Sequence, residues 1–215
     1  MFRVKLEGDL FTQIQKLEFF DGKLVYYPRF IEKQESLDLY HDLLANLQWS
    51  QAQIKMFGKL VTIPRLQAWY GDSDAYYKYS GLPLKPLPWL DVLTSLKIKC
   101  EQALGKSFNS VLANYYRDNR DSMGWHSDNE KQLGDLPIIA SLSFGQQRRF
   151  CMRQKSTGEK FELNLQSGSL LVMQSNIQTH WQHSLPKSAK PLSGRINLTY
   201  RRIYNEDQND NRSNN

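Results

Sequence analysis

Two histidines and one aspartate have the residue types and the spacing of a metal site. His126-Ser127-Asp128 forms a His-x-Asp motif, and His183 follows it further along the chain. Two imidazoles and one carboxylate can occupy one face of an octahedral ion and leave three positions open, as a non-haem Fe(II) oxygenase requires for its co-substrate and dioxygen. A His-x-Asp motif alone is also common in solvated turns, and His180 competes with His183 as the third ligand.

A segment near the C-terminus, RINLTYR at residues 195–201, alternates polar and apolar side chains. With the period of two that a strand imposes, one face carries Arg195, Asn197, Thr199 and Arg201. Such a face is either exposed to solvent or lines a cavity that holds anions. Asn114 and Tyr116, also two residues apart, could hydrogen-bond a carboxylate. A metal and paired guanidinium groups together suit a small dicarboxylate, which indicates 2-oxoglutarate.

Helices and strands that could position these residues can be read from the hydrophobic pattern. Apolar residues at helical spacing predict one helix over residues 31–49 and a second from Pro88 to Gly105. Beyond Gly105, short β-branched and aromatic runs between turn residues predict strands at 110–117, 138–144, 149–154, 160–165, 169–174 and 195–203. So many closely spaced strands predict a mainly β barrel or jelly roll with the two helices on one outer face.

Composition indicates one globular domain over residues 1–204, followed by a polar, disordered tail over residues 205–215 that has no apolar residue. No run approaches the roughly 20 apolar residues that span a bilayer, and we expect a cytoplasmic protein. Cys100 and Cys151 are too few for a disulfide framework and are expected to be free, buried thiols. The net charge of +6 weakly favours a polyanionic partner.

Four segments together carry a family resemblance: NYYRDNRDSMGWHSDNE, PIIASLSFGQQRRFCMRQ, GSLLVMQSNIQTHWQHSLP and RINLTYRRI. In order and spacing they resemble successive motifs of the AlkB family of Fe(II)- and 2-oxoglutarate-dependent dioxygenases, especially its duplex-DNA repair branch. The resemblance covers about residues 57–203. It implies a double-stranded β-helix, which is a jelly-roll, cupin-like core.

The resemblance also assigns roles to the candidate residues. It implies that His126, Asp128 and His183 bind iron, with His183 preferred over His180 because Ser184-Leu185-Pro186 follows it. The residues implied to hold 2-oxoglutarate are Asn114, Tyr116, Arg195 and Arg201, assisted by Thr199. Fe(II), 2-oxoglutarate and O2 are the implied cofactor and co-substrates, and no further catalytic group is implied.

The substrate implied by the resemblance is an N-alkylated base in DNA, such as 1-methyladenine or 3-methylcytosine, repaired by oxidative demethylation. A base in a duplex must be flipped out to reach buried iron. Residues about 50–90 resemble the family's recognition lid and finger, with Met56 and Phe57 as the wedge that enters the base stack. Candidate nucleotide contacts are Tyr77, Tyr79, Ser80, Arg65, Gln67, Asn129 and Glu130, and Lys59 is a candidate phosphate contact.

Asn129 departs from the family pattern, because close relatives often have an acidic residue directly after the ligand aspartate. The preferred lesion is therefore left open. Two alternatives also remain: a 2-oxoglutarate dioxygenase that acts on RNA, protein or a small molecule, and a non-catalytic jelly roll that binds nucleic acid through its basic surface. We expect a monomer.

Overall fold

The computed structural model describes residues 3–7, 14–19, 22–56, 58–75, 77–79, 82–174 and 176–204, with the backbone alone for 3–7, 14–19, 54–56, 77–79 and 82–84. The described helices are α1 (Lys33–Asn46), α2 (Asp91–Leu104) and the single turn α3 (Ile177–His180), with a 3-10 turn at Lys131–Leu133. None of the helices in these ranges is long and apolar enough to cross a membrane.

An eight-stranded antiparallel sheet forms the larger layer. Its strands are β1 (Arg3–Glu7), β2 (Ile14–Phe19), β3 (Gly22–Tyr27), β6 (Leu66–Gly71), β9 (Ser110–Tyr116), β11 (Ile139–Gly145), β14 (Ser169–Gln174) and β16 (Arg195–Arg201). They are hydrogen-bonded in the order β1-β2-β3-β14-β11-β16-β9-β6. The strand β16 therefore lies near the middle of the sheet, between β11 and β9.

A four-stranded sheet faces the larger one, and two hairpins complete the described strands. The smaller sheet has the order β10-β15-β12-β13. Its strands are β10 (Met123–His126), β12 (Arg148–Gln154), β13 (Lys160–Leu165) and β15 (Trp181–Leu185). The hairpins pair β4 (Gln53–Met56) with β5 (Lys59–Thr62) and β7 (Tyr77–Tyr79) with β8 (Leu82–Leu84).

Two apolar clusters hold these layers together. In the first, Leu43 of α1 and Leu93 of α2 pack with Leu142 of β11 and Leu198 of β16, so both helices cover one face of the large sheet. The second cluster fills the space between the two sheets, where Leu24, Ile139, Leu171 and Met173 meet Phe150, Met152 and Leu165. Each fully buried aliphatic side chain contributes about 1.5–3 kcal/mol. The predicted mainly β jelly roll with helices on one outer face is confirmed.

The helix boundaries differ from the predicted ones. The first helix is shorter than 31–49, because the backbone N–H of Ile31 donates to the carbonyl of Gly168 and Leu47 is extended. The second begins at Asp91, because the backbone at Leu90 is extended. Its predicted end at Gly105 is confirmed, since that residue is left-handed with φ 61° and its N–H caps the helix.

The sequence pattern predicted six strands and missed those with mixed composition. The strands β10 and β15, which carry the two histidines, were not predicted, because MGWH and WQHSL lack regular alternation. The strand β6 was not predicted either, because the strand predictions began beyond Gly105. The predicted tail at 205–215 lies outside the described residues and stays a prediction.

Candidate metal and co-substrate site

The two histidines lie on adjacent antiparallel strands of the smaller sheet. His126 on β10 is directly opposite His183 on β15, and their ring centroids are 4.1 Å apart. Asp128 follows β10 and places its Oδ1 3.8 Å from His126 Nε2 and its Oδ2 4.0 Å from His183 Nε2. One ligand atom from each residue lies within 4.8 Å of the others, so the three side chains can share a single ion.

Charge at this site matches what a divalent metal requires. Burial lowers the pKa of His183 to about 3, with a further contribution from His126, so the imidazole stays neutral and keeps a lone pair for a metal. Burial by itself would raise the pKa of Asp128, but the charge of Arg201 is the largest opposing contribution, and together with the hydrogen bond from Arg201 it helps to lower that pKa to about 2. A neutral His183 imidazole and an ionised Asp128 carboxylate are therefore available near neutral pH.

The tautomer of His126 is fixed by its own strand. Its Nδ1 lies 2.9 Å from the carbonyl oxygen of Gly124, which can only accept, so Nδ1 carries a hydrogen and Nε2 is the nitrogen that can bind a metal. Its side chain is 28% exposed, whereas those of the other two ligands are buried. Access to the metal position is therefore on the His126 side.

The competing histidines lie elsewhere. His180 ends α3 and is outside the cluster, which decides the third ligand in favour of His183. His41 is exposed on α1 beside Tyr40.

A buried polar cavity adjoins the triad. Polar residues from β9, β11 and β16 line one wall, and Phe150, Leu165 and Met173 line another. The polar lining residues from these three strands are Asn114, Tyr116, Ser141, Arg195, Asn197, Thr199 and Arg201. The alternative of a solvent-exposed face on β16 is wrong, because all seven residues of that strand are buried.

Arg195 is suited to an anionic ligand. Its NH2 group donates to Ser143 Oγ at 2.9 Å and its guanidinium lies 5.4 Å from the ring centroid of Tyr116. Its Nε is buried and has no hydrogen-bond partner among the described residues. Burial lowers the pKa of Arg195 to about 10, so it is still cationic at neutral pH. A carboxylate would compensate this buried charge.

Asp128 and Asn114 are each oriented by neighbours. The NH2 group of Arg201 donates to Asp128 Oδ1 at 2.8 Å, which links the cavity to the metal position. Arg65 Nε and Gln67 Nε2 both donate to Asn114 Oδ1 at 2.9 Å. That leaves the amide NH2 of Asn114 as its remaining polar group for the cavity.

Sequence reasoning did not assign roles to two residues of this region. Asn197 shares the polar face of β16; it donates to Ser141 Oγ at 2.8 Å and accepts from Thr199 Oγ1 at 2.9 Å. The alternation of β16 could have identified it. Arg148 donates to three backbone carbonyls and lies 5.7 Å from the ring centroid of Tyr116. Only the tertiary structure reveals that position.

The predicted nucleotide contacts fall into three groups. Asn129 and Glu130 are exposed directly after Asp128, whereas Arg65 is buried and Gln67 partly buried. On the β4–β5 hairpin, Lys59 is exposed and Leu60 is 72% exposed. Phe57 and Ser80 lie outside the described residues, and for Met56, Tyr77 and Tyr79 the backbone alone is described.

Residues 23–201 match the family model of the 2OG-Fe(II) oxygenase superfamily. The chain belongs to this superfamily. A mouse protein named DNA oxidative demethylase ALKBH2 is 38% identical over 194 residues, which cover 85% of this chain and 81% of that protein. The relatives thus place the chain in the AlkB family.

Other AlkB relatives agree with this placement. A rat protein named alpha-ketoglutarate-dependent dioxygenase alkB homolog 3 is 39% identical over 193 residues, covering 85% of this chain. The chain spans only 65% of the length of that relative. The solved structure of OsALKBH1 shares the fold, with a TM-score of 0.62 at 14% identity over 86% of this chain and 99% of that one.

The residues at the triad and in the cavity fit the Fe(II) and 2-oxoglutarate that the family implies. A triad of two imidazoles and a carboxylate suits Fe(II). The Nε of the buried Arg195, which has no partner among the described residues, suits a carboxylate of 2-oxoglutarate. The described residues of this AlkB protein therefore fit an iron ion beside a keto acid.

Proposed function

We propose that this AlkB protein is an Fe(II)- and 2-oxoglutarate-dependent dioxygenase that repairs DNA by oxidative dealkylation of bases such as 1-methyladenine and 3-methylcytosine. The observation that carries the proposal is the convergence of His126, Asp128 and His183 beside a buried cavity lined by two arginines. The relatives named DNA oxidative demethylase support DNA as the substrate.

Iron, when bound with 2-oxoglutarate and O2, supplies the oxidant: the co-substrate leaves as succinate and CO2, and a methyl group leaves the base as formaldehyde. Around it, Arg195 would form a charge-assisted bond to one carboxylate of the keto acid, helped by Asn114 and Tyr116. Arg201 holds the Asp128 carboxylate in place. The apolar side chain of Phe150 lines the same cavity and would disfavour water beside the reacting groups.

The flipped base would enter on the side where His126 is exposed. Asn129 and Glu130 lie next to that entrance and would contact the base edge. We propose that Tyr77, Tyr79 and Ser80 grip the base and that Met56 and Phe57 act as the wedge in the base stack. Arg65 and Gln67 would contact the flipped nucleotide or its backbone, and Lys59 would contact a phosphate.

The test uses oligonucleotides that contain 1-methyladenine or 3-methylcytosine, as single strands and duplexes of DNA and RNA. With Fe(II) and 2-oxoglutarate, the protein should release formaldehyde and restore the DNA base. His126→Ala and Asp128→Ala should abolish turnover and spare most DNA affinity, because that affinity comes largely from phosphate contacts. His41→Ala on α1 is the matched control and should retain full activity.

Each alternative function has its own outcome in that assay. Product from RNA alone, or succinate release with a protein or small molecule alone, would replace DNA as the substrate. DNA binding without any turnover would leave only a nucleic-acid-binding jelly roll. Turnover that survives both triad substitutions would refute the enzyme proposal.

We also propose that the protein acts as a cytoplasmic monomer. Cys100 and Cys151 are free and buried, as is usual in a reducing compartment. Light scattering coupled to size-exclusion chromatography tests the oligomeric state, and a dimer mass would contradict it.

A further inference from the structure

The turn that carries Asp128 is held by a side chain and not by a strand ladder. After β10 ends at His126, residues 127–130 have no regular secondary structure. The backbone N–H of Asp128 donates to Gln178 Oε1 at 2.8 Å, and both residues are buried. Directly before it, Ser127 Oγ donates to the carbonyl of Trp181 at 2.8 Å.

Gln178 is itself held firmly in place. Its side chain is 2% exposed, and its Nε2 donates to Met173 Sδ at 3.4 Å. Its own carbonyl and that of Thr179 accept from Lys155 Nζ at 2.9 and 2.7 Å. The acceptor offered to Asp128 therefore has little freedom to move.

The same short segment leads to the third metal ligand. Gln178 lies on α3, which runs directly into β15, the strand that carries His183. A hydrogen bond from Asp128 to Gln178 thus ties the aspartate to the segment that positions the histidine. The two ligands are distant along the chain, and this contact connects them without passing through the metal.

We propose that Gln178 is a positioning residue for the metal site: it fixes the Asp128 carboxylate relative to the His183 imidazole before metal binds. The inference rests on the proposed function of the triad. Arg201 and Gln178 hold different parts of the aspartate: Arg201 donates to the carboxylate and also lines the cavity for the keto acid, whereas Gln178 accepts from the backbone N–H. Groups that orient ligands in this way typically change metal affinity by about 10–100-fold when removed.

The test measures Mn(II) affinity of the metal-free protein by calorimetry, with no turnover involved. Gln178→Met keeps the size of the side chain and removes the acceptor, and it should weaken Mn(II) binding by about 10–100-fold. Gln178→Asn is a milder variant that keeps the amide but withdraws it from Asp128, and it should give an intermediate loss. This second variant preserves the test if the methionine variant does not fold.

Ser36→Ala is the matched control for a lost buried hydrogen bond. Ser36 on α1 is 2% exposed and its Oγ lies 2.9 Å from Ser167 Oγ, away from the triad. This control should lower the melting temperature and leave Mn(II) affinity unchanged. Wild-type affinity in both folded Gln178 variants, or an equal loss in Ser36→Ala, would overturn the positioning role. Absence of Mn(II) binding by the wild type would instead overturn the triad as a metal site.

Discussion

The two faces of β16 are both buried but have opposite chemistry. On one face, Ile196, Leu198 and Tyr200 pack into the apolar cluster beneath the helices, and Tyr200 donates to the carbonyl of Leu93 at 2.9 Å. On the other face, Arg195 and Arg201 enter the space between the two sheets together with Asn197 and Thr199. The strand therefore separates the region that stabilises the fold from the region that binds ligands.

This difference shows where the free energy of folding and the function come from. Apolar burial is favourable wherever it occurs, at about 25 cal/mol per Å². A buried guanidinium costs free energy unless a partner compensates it, so a protein keeps one in its interior when a ligand or ion pair requires it. Arg201 has Asp128 as a partner, whereas no described ion pair includes Arg195.

Removing the charge of Arg201 should have the largest effect. Arg201→Met leaves the buried Asp128 without its cation, and we expect a loss of about 3–5 kcal/mol in the free energy of unfolding. Binding of 2-oxoglutarate should also be lost. Denaturant unfolding of the metal-free protein and calorimetry with 2-oxoglutarate measure the two effects.

The control lies on the opposite face of the same strand. Leu198→Ala should cost about 2–5 kcal/mol through the cavity that it leaves. Its dissociation constant for 2-oxoglutarate should equal that of the wild type at a temperature where both are folded. Equal losses of 2-oxoglutarate affinity in the two variants would contradict the separation of the two faces.

The next largest effect should come from acid, which lowers the free energy of unfolding through two residues of the metal site, His183 and Asp128. The pKa of His183 falls from 6.5 in the unfolded chain to about 3 in the folded one, so the unfolded state takes up a proton first. The free energy of unfolding should therefore decrease as the pH falls below about 6.5, by about 1.4 kcal/mol per pH unit. The lowered pKa of Asp128, about 2, adds a further loss below its unfolded value of 3.8.

Denaturant unfolding of the metal-free protein at several values between about pH 7 and pH 5 measures the slope of the free energy of unfolding against pH. Proton linkage predicts that this free energy falls as the pH falls. His183→Gln should flatten the slope, because the neutral amide does not titrate. A wild-type slope that persists in this variant would show that the acid sensitivity comes from another group.

Substitution of Arg195 should give the smallest change in the free energy of unfolding. In the ligand-free protein, Arg195→Met removes a buried charge that has no ion-pair partner among the described residues, so the free energy of unfolding should stay within about 1 kcal/mol of the wild type or rise. Addition of 2-oxoglutarate should raise the melting temperature of the wild type and not that of the variant. A loss as large as that of Arg201→Met would show that Arg195 has a structural role.

The sequence by itself determined the chemistry and most of the secondary structure around it. Strong alternation predicted β16 and placed Arg195 and Arg201 on one face, because side chains along a strand have a period of two. The apolar runs at β11 and β14 and the glycine that ends α2 were equally clear. The motifs around His126 and His183 identified the family.

Only the tertiary structure decided which groups meet. Pairing of β10 with β15 brings His126 opposite His183 and excludes His180, and local sequence does not encode that register because neither strand alternates. Burial of the polar face of β16 depends on the second sheet, and burial of its apolar face depends on the two helices; long-range contacts assemble both. The bond from Asp128 to Gln178 joins residues that are far apart in sequence, so no spacing or periodicity could predict it.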